Sequence, residues 1–245
     1  MKKLLVSYMT LGYPNEADYL NFIKGADELG TDVFELGYPP DFAKYDGPLI
    51  RKSYSKVKSA YKNFSELLSK SRNFTKKKII VLTYLEGIQN NLDEFLKNIK
   101  SYGADGVLFP DLLVDFPESY SGYIKQISER KLEPVIFVSP FVPDRLISEV
   151  SALSRPFLYY GIRPTTGIVT PVGVGTLVKR VKNLIDNKLI VGFGLKGDDD
   201  IRESLSAGAD GVAVGTAYIE AFEGAGLKGA LDAVKKVRNI LDEFE

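Results

Sequence analysis

Residues 102–109 read YGADGVLF, and residues 207–214 read AGADGVAV. Both place Gly-Ala-Asp-Gly between an amphipathic run and a short apolar one. Gly103 and Gly208 follow the last apolar position of a helical pattern, where glycine accepts the left-handed conformation that ends a helix. Apolar segments follow at once, over Gly106–Phe109 and Gly211–Val214. Gly30-Thr31-Asp32 is a near copy, and it leads into Val33–Leu36. A helix-to-strand junction that recurs in this way points to a chain assembled from repeated β/α units.

Outward from these junctions the alternation continues. Strands are expected at Leu4–Met9, Val33–Leu36, Lys78–Thr83, Gly106–Phe109, Pro134–Val138, Phe157–Tyr160, Leu189–Val191 and Gly211–Val214. Most are apolar at consecutive positions, so both of their faces are buried. Helical periodicity lies between them, over Glu16–Leu29, Leu92–Tyr102, Thr176–Asp186, Asp199–Ala207 and Leu227–Phe244. The long polar stretch Arg51–Lys77 reads as an extended second helix with a kink or an extra turn. Eight alternations within 245 residues define an α/β fold, a (β/α)8 TIM barrel, expected to be one domain over residues 1–245. The doubly wound sheet is the alternative. It is weakened because no G-x-G-x-x-G follows the first strand.

Composition narrows the chemistry. Lysine and arginine number 32, as do aspartate and glutamate, so the chain has no net charge to attract nucleic acid or an anionic membrane. An anionic ligand must therefore be held locally. Cysteine and histidine are both absent. Thiol nucleophiles, thiolate metal sites and the commonest general base are thereby excluded. No metal cluster or cofactor motif is evident. The opening MKKLLVSYMT is basic and then apolar, but Gly12, Pro14, Asn15 and Glu16 end the run too early for a signal peptide. No stretch approaches the ~20 apolar residues that cross a bilayer. A cytoplasmic location is expected.

In a barrel of this kind the site lies at the C-terminal ends of the strands. The second strand carries a carboxylate in an apolar run, FELGYPPDFAKYDGP over residues 34–48. If Phe34 and Leu36 face the helices, Val33 and Glu35 face the barrel interior. Desolvation there would raise the Glu35 pKa and suit it to proton transfer near neutral pH. The competing reading is a glutamate held in an ion pair. Asp46, before Gly47 and Pro48, reads either as a helix cap or as a second acid. The seventh strand ends in Val191-Gly192-Phe193-Gly194, and the eighth in Val214-Gly215-Thr216. In barrels these two loops, with a short extra helix, often bind phosphate through backbone N–H groups. Arg163, Pro164, Thr165, Thr166 and Gly167 could form a lid or a third wall of the phosphate site. The residues alone thus describe a phosphate-ester enzyme with carboxylate acid–base chemistry.

The motifs together resemble one family, the alpha subunit of tryptophan synthase. The likeness runs through Tyr8–Pro14, Phe34–Pro39 with Asp46-Gly47-Pro48, Leu82-Thr83-Tyr84, Pro110-Asp111-Leu112 and Tyr159–Arg163 with Thr166-Gly167. It continues through Val191–Gly194 and Asp210–Thr216. The resemblance implies retro-aldol cleavage of indole-3-glycerol phosphate to indole and glyceraldehyde 3-phosphate. It makes Glu35 the proton donor and acceptor and Asp46 the partner of the indole N–H. Tyr8, Leu82 and Tyr84 would line the indole pocket, and Tyr159 would sit near the reacting glycerol. Thr166 and Gly167 would close over the ligand, while Gly194, Gly215 and Thr216 would hold phosphate. It implies a beta-subunit partner in an αββα assembly and requires neither cofactor nor metal. The sequence departs from the family at Pro40-Asp41-Phe42-Ala43, in a loop that contacts the partner, and the Arg163–Gly167 loop is one residue shorter. Two alternatives fit the phosphate loops without the Glu35–Asp46 spacing. One is another phosphate-binding barrel enzyme, and the other is a ligand-binding regulatory subunit.

Overall fold

The structure, a computed structural model, describes residues 2–163 and 172–245. Eight parallel strands close into a barrel in chain order, with β1 (Leu4–Thr10) paired to β2 (Val33–Gly37) on one side and β8 (Gly211–Val214) on the other. Between them run β3 (Lys78–Leu82), β4 (Gly106–Leu108), β5 (Glu133–Val138), β6 (Leu158–Gly161) and β7 (Leu189–Gly192). The closed ring rules out the open doubly wound sheet. Around it lie α1 (Glu16–Glu28), α2 (Pro48–Ala60), α3 (Phe64–Arg72), α4 (Leu92–Ser101), α5 (Leu112–Asp115) and α6 (Tyr120–Glu129). The ring of helices continues with α7 (Asp144–Leu153), α8 (Val174–Lys182), α9 (Asp198–Ser206) and α10 (Thr216–Asp242).

The repeated junction has a physical explanation. Gly30, Gly103 and Gly208 all adopt positive φ, at 95°, 101° and 103°. Each turn is closed by a backbone bond from the residue after the glycine back into the helix: Thr31 to Ala26, Ala104 to Ile99 and Ala209 to Ser204. The aspartate that follows then reaches the neighbouring strand. Asp32 accepts from the Leu5 amide at 2.9 Å, Asp105 from Ile79 at 2.9 Å and Asp210 from Leu189 at 2.8 Å. A basic side chain balances each carboxylate: Lys2 and Arg238 at Asp32, Arg72 at Asp105 and Lys182 at Asp210. The motif thus ends a helix, starts a strand and sets the register of the strand beside it. At the junction before β6, Ser154 has the strand-capping role, its hydroxyl oxygen accepting from the Ile136 amide at 2.9 Å.

The interior is filled by setting large side chains against glycines. A Cβ on Gly192 would collide with the Tyr159 hydroxyl, and one on Gly161 with the Phe137 ring. Gly106 makes room for Ile80, and Gly211 for Ile190. Mixing large and small residues this way packs the barrel solid below its mouth.

Two expectations change. Arg51–Lys77 is two helices, not one bent helix. Tyr61 leaves helical geometry at φ −124° and ψ 146°, and Asn63 caps α3 by accepting from the Glu66 amide at 3.2 Å. The last helix begins earlier than the expected Leu227, at Thr216, and is broken at Ala225 and Gly226, the latter at φ 64°. The segment before the break is a short helix that starts at the exit of β8.

Candidate active site

Strand register places Glu35 beside Tyr8 on β1. Both side chains enter a cavity of about 290 Å³ at the C-terminal mouth of the barrel. Asp46, Leu82 and Tyr159 line the same cavity, and so do Gly194, Gly215 and Thr216. Eight of the expected site residues therefore meet in one space, drawn from β1, β2, β3, β6 and the exits of β2, β7 and β8. Tyr84 is different. It is fully buried behind Asp46, not in the cavity wall, and donates its hydroxyl to Asp46 Oδ2 at 3.0 Å. Thr166 and Gly167 lie outside the described residues.

The two carboxyls stand in different surroundings. Glu35 is 2% exposed, and its Oε1 is buried without a hydrogen-bond partner among the described residues. Burial, reinforced by the Asp46 charge, pushes its pKa up to about 8. Burial also raises Asp46, to about 7, but the Tyr84 hydroxyl and the Arg51 charge act in the opposite direction. Asp46 has groups that favour its anion, and Glu35 has none among the described residues. The Tyr84 bond and the Arg51 charge thus favour the anion at Asp46, while burial beside the Asp46 charge favours the protonated form of Glu35.

Tyr8 is threaded between two glycines. Its ring lies against Gly215, where a Cβ would stand 2.6 Å from it, and its hydroxyl lies over Gly37. That hydroxyl is 3.0 Å from Thr10 Oγ1 and donates to Tyr54 Oη at 3.0 Å. Thr10 in turn is 2.6 Å from Ser53 Oγ. This hydroxyl chain ties β1 to α2, the helix that starts just after Asp46. Burial holds the Tyr8, Tyr84 and Tyr159 phenols neutral, so they act as donors and walls, not as bases.

The other end of the cavity is built from backbone. Phe193 and Gly194 both have positive φ, at 46° and 108°. A Cβ on Gly194 would come within 2.7 Å of the Arg163 side chain. Thr216 and Ala217, the first residues of α10, line this end, and the first amides of a helix lack intrahelical acceptors and carry the positive end of its dipole. An anion that enters here meets N–H groups and the Thr216 hydroxyl. Lys236 also lines this end, paired with Asp198 at 2.8 Å. Phe193, Ile50, Tyr54 and Lys236 were not singled out from sequence. Phe193, flanked by two glycines, carried a visible signal. The other three are brought in only by helix packing.

Taken together, the fold and site define an enzyme class: a (β/α)8 barrel with two buried carboxyls facing a glycine-containing loop pair after β7 and β8. The family model for the tryptophan synthase alpha chain matches residues 1–245. The chain is 52% identical to the tryptophan synthase alpha chain of Sulfurisphaera tokodaii, covering 100% of both sequences. It is 53% identical to that of Saccharolobus solfataricus, covering 100% of this chain and 99% of the relative. A chain in the structure of the tryptophan synthase a2b2 complex of Pyrococcus furiosus superposes with a TM-score of 0.80 at 26% identity, over 99% of this chain and 100% of that one. The chain belongs to the tryptophan synthase alpha chain family.

Proposed function

We infer that the chain catalyses the alpha reaction of tryptophan synthase, the retro-aldol cleavage of indole-3-glycerol phosphate to indole and glyceraldehyde 3-phosphate. The observation that carries this reading is the convergence of Glu35 and Asp46 on one cavity that is also lined by the loops after β7 and β8. Neither rival reading draws a comparable observation. Residues 1–245 act as one catalytic domain, and the chain works in the cytoplasm. Among the described residues no helix is long and apolar enough to cross a membrane.

In this mechanism the phosphate is held by Gly194, Gly215 and Thr216, and the indole lies between Tyr8 and Leu82. Asp46, steadied by Tyr84, accepts the indole N–H and stabilises positive charge on that nitrogen. Glu35 gives its proton to indole C3, which turns a poor carbanion leaving group into an indolenine. The resulting Glu35 carboxylate takes the proton from the glycerol hydroxyl as the C–C bond breaks. The aldehyde and indole are released with Glu35 protonated again. Tyr159 borders the reacting glycerol. A pKa near 8 keeps both protonation states of Glu35 within reach near neutral pH.

The partner is a tryptophan synthase beta subunit in an αββα assembly. At the mouth of the barrel Phe42, Val114, Phe141 and Val172 are exposed by 63%, 51%, 76% and 41%. They follow β2, β4, β5 and β6 and so share the catalytic face, where an aromatic-rich rim suits a protein partner. The test is to supply indole-3-glycerol phosphate and follow glyceraldehyde 3-phosphate, with and without a beta subunit. Release is expected in the assembly, and its absence under both conditions refutes the reading.

A further inference from the structure

The loop that carries Asp46 is fastened on its other side by residues outside the motifs that define the site. Lys44 Nζ stands 2.6 Å from Glu86 Oε2 and 2.7 Å from Asp115 Oδ2. Tyr45 donates its hydroxyl to Asp115 Oδ1 at 2.9 Å. Its ring stacks on Tyr84, with centroids 6.1 Å apart and planes at 24°. The Tyr45 amide donates to the Tyr84 oxygen at 3.1 Å, and the Tyr84 proton goes on to Asp46.

The anchors are themselves fixed. Asp111, fully buried at the exit of β4, accepts from the amides of Leu85 and Glu86 at 2.9 Å each. The amide of Asp115 donates to the Asp111 carbonyl at 2.8 Å. A continuous set of bonds therefore runs from the exit of β4, through the loop after β3, to Lys44 and Tyr45 and then to Asp46.

Such a fastening answers a physical need. A buried carboxylate gains by swinging out to water, and the segment before it, from Pro40 to Lys44, has no helix or strand to restrain it. One exposed ion pair would hold it weakly. Here one ammonium bridges two carboxylates, and a phenol on the next residue reaches one of them as well, so the links reinforce one another.

We propose that Lys44 and Tyr45 are positioning residues for Asp46, clamping the loop after β2 onto the exits of β3 and β4 so that the Asp46 carboxylate stays at the cavity in the chain on its own. This rests on the reading of Asp46 as the partner of the indole nitrogen. Lys44 and Tyr45 touch no substrate; they act through Tyr84 and the loop backbone.

The experiment measures kcat and KM for indole-3-glycerol phosphate on the full chain and on Lys44→Met, Lys44→Arg, Tyr45→Phe, Asp46→Asn and the Lys44→Met/Asp46→Asn pair. Lys44→Met and Tyr45→Phe are each expected to lower kcat by about 3- to 10-fold, with KM moving less than about twofold. Lys44→Arg restores most of the loss. Lys44→Met adds no further loss to the residual turnover of Asp46→Asn, because the clamp acts only through that carboxylate. Wild-type kcat in Lys44→Met and Tyr45→Phe, with Asp46→Asn crippled, overturns the proposal and leaves the site reading intact. A fully multiplicative loss in the double variant also overturns it. Wild-type turnover in Asp46→Asn sinks the underlying reading instead. Tyr45→Phe keeps the ring stack, so it carries the same double-variant test should Lys44→Met fail to fold.

Discussion

At the residue scale, Glu35 combines two opposed demands. Its carboxyl is suited to proton transfer because it is buried, with Oε1 unbonded among the described residues, and for the same reason it costs stability. Its folded pKa, near 8, lies above its ordinary value of 4.5. The folded chain therefore binds the proton more tightly than the unfolded chain between those values. Stability from this group is greatest below about pH 4.5 and declines as pH rises to about 8. Glu35→Gln removes the charge penalty. Its melting temperature should match wild type near pH 4 and exceed it by a margin that widens to several degrees at pH 8, at roughly 2–4 °C per kcal/mol for a chain of this size. A pH-independent difference in thermal melts would contradict the burial argument. In the proposed mechanism the same proton governs activity. A donor at Glu35 makes kcat/KM for indole-3-glycerol phosphate fall as pH passes about 8, and a pH profile flat to 10 would rule the donor role out. The positions of Glu35 and Asp46 were legible in the sequence because one lies on a recognisable strand and the other follows it, and alternation along β2 gave the direction of Glu35. The Lys44–Asp115 and Tyr45–Tyr84 contacts were not, because they join loops after three different strands, and local patterns carry no trace of such meetings.

At the scale of the element, the Gly-Ala-Asp-Gly junction does more than end a helix. Asp210 holds the start of β7 through the Leu189 amide while it pairs with Lys182. Asp210→Ala leaves that amide without its acceptor, at a cost of about 1.5–3 kcal/mol for a charged hydrogen bond at a partly exposed site. Denaturant unfolding should show a lower midpoint with an unchanged m-value, and an unaltered midpoint would deny the junction its structural role. Strand extents were legible to within a residue or two, since continuous apolar runs leave few choices. The break between α2 and α3 was missed because Tyr61–Asn63 contains neither glycine nor proline. Asn63 followed by Glu66 was the available signal, a side-chain cap three residues ahead of an acid. The gap in α10 at Gly226 is the same lesson in reverse. The periodic pattern from Leu227 marked the longer half, while the short half that begins at Thr216 showed only as a phosphate-loop ending.

Over the whole molecule, the barrel separates stability from chemistry. The packed interior below the mouth uses glycines to seat Ile80 and Ile190, while the mouth leaves two acids and a loop pair around open space. The exposed rim is the third component. Phe141, 76% exposed, should be a contact for the beta subunit, and Phe141→Ser should weaken assembly about tenfold or more without changing the melting temperature of the isolated chain. Unchanged affinity by titration calorimetry would move the docking face elsewhere. The most direct measurement pairs wild type with Glu35→Gln, recording binding of indole-3-glycerol phosphate and release of glyceraldehyde 3-phosphate in the same preparations. Wild type should bind and cleave, while the variant should bind within a few-fold of wild type and turn over at least about 100-fold more slowly. Cleavage by Glu35→Gln at the wild-type rate would contradict the account at its centre.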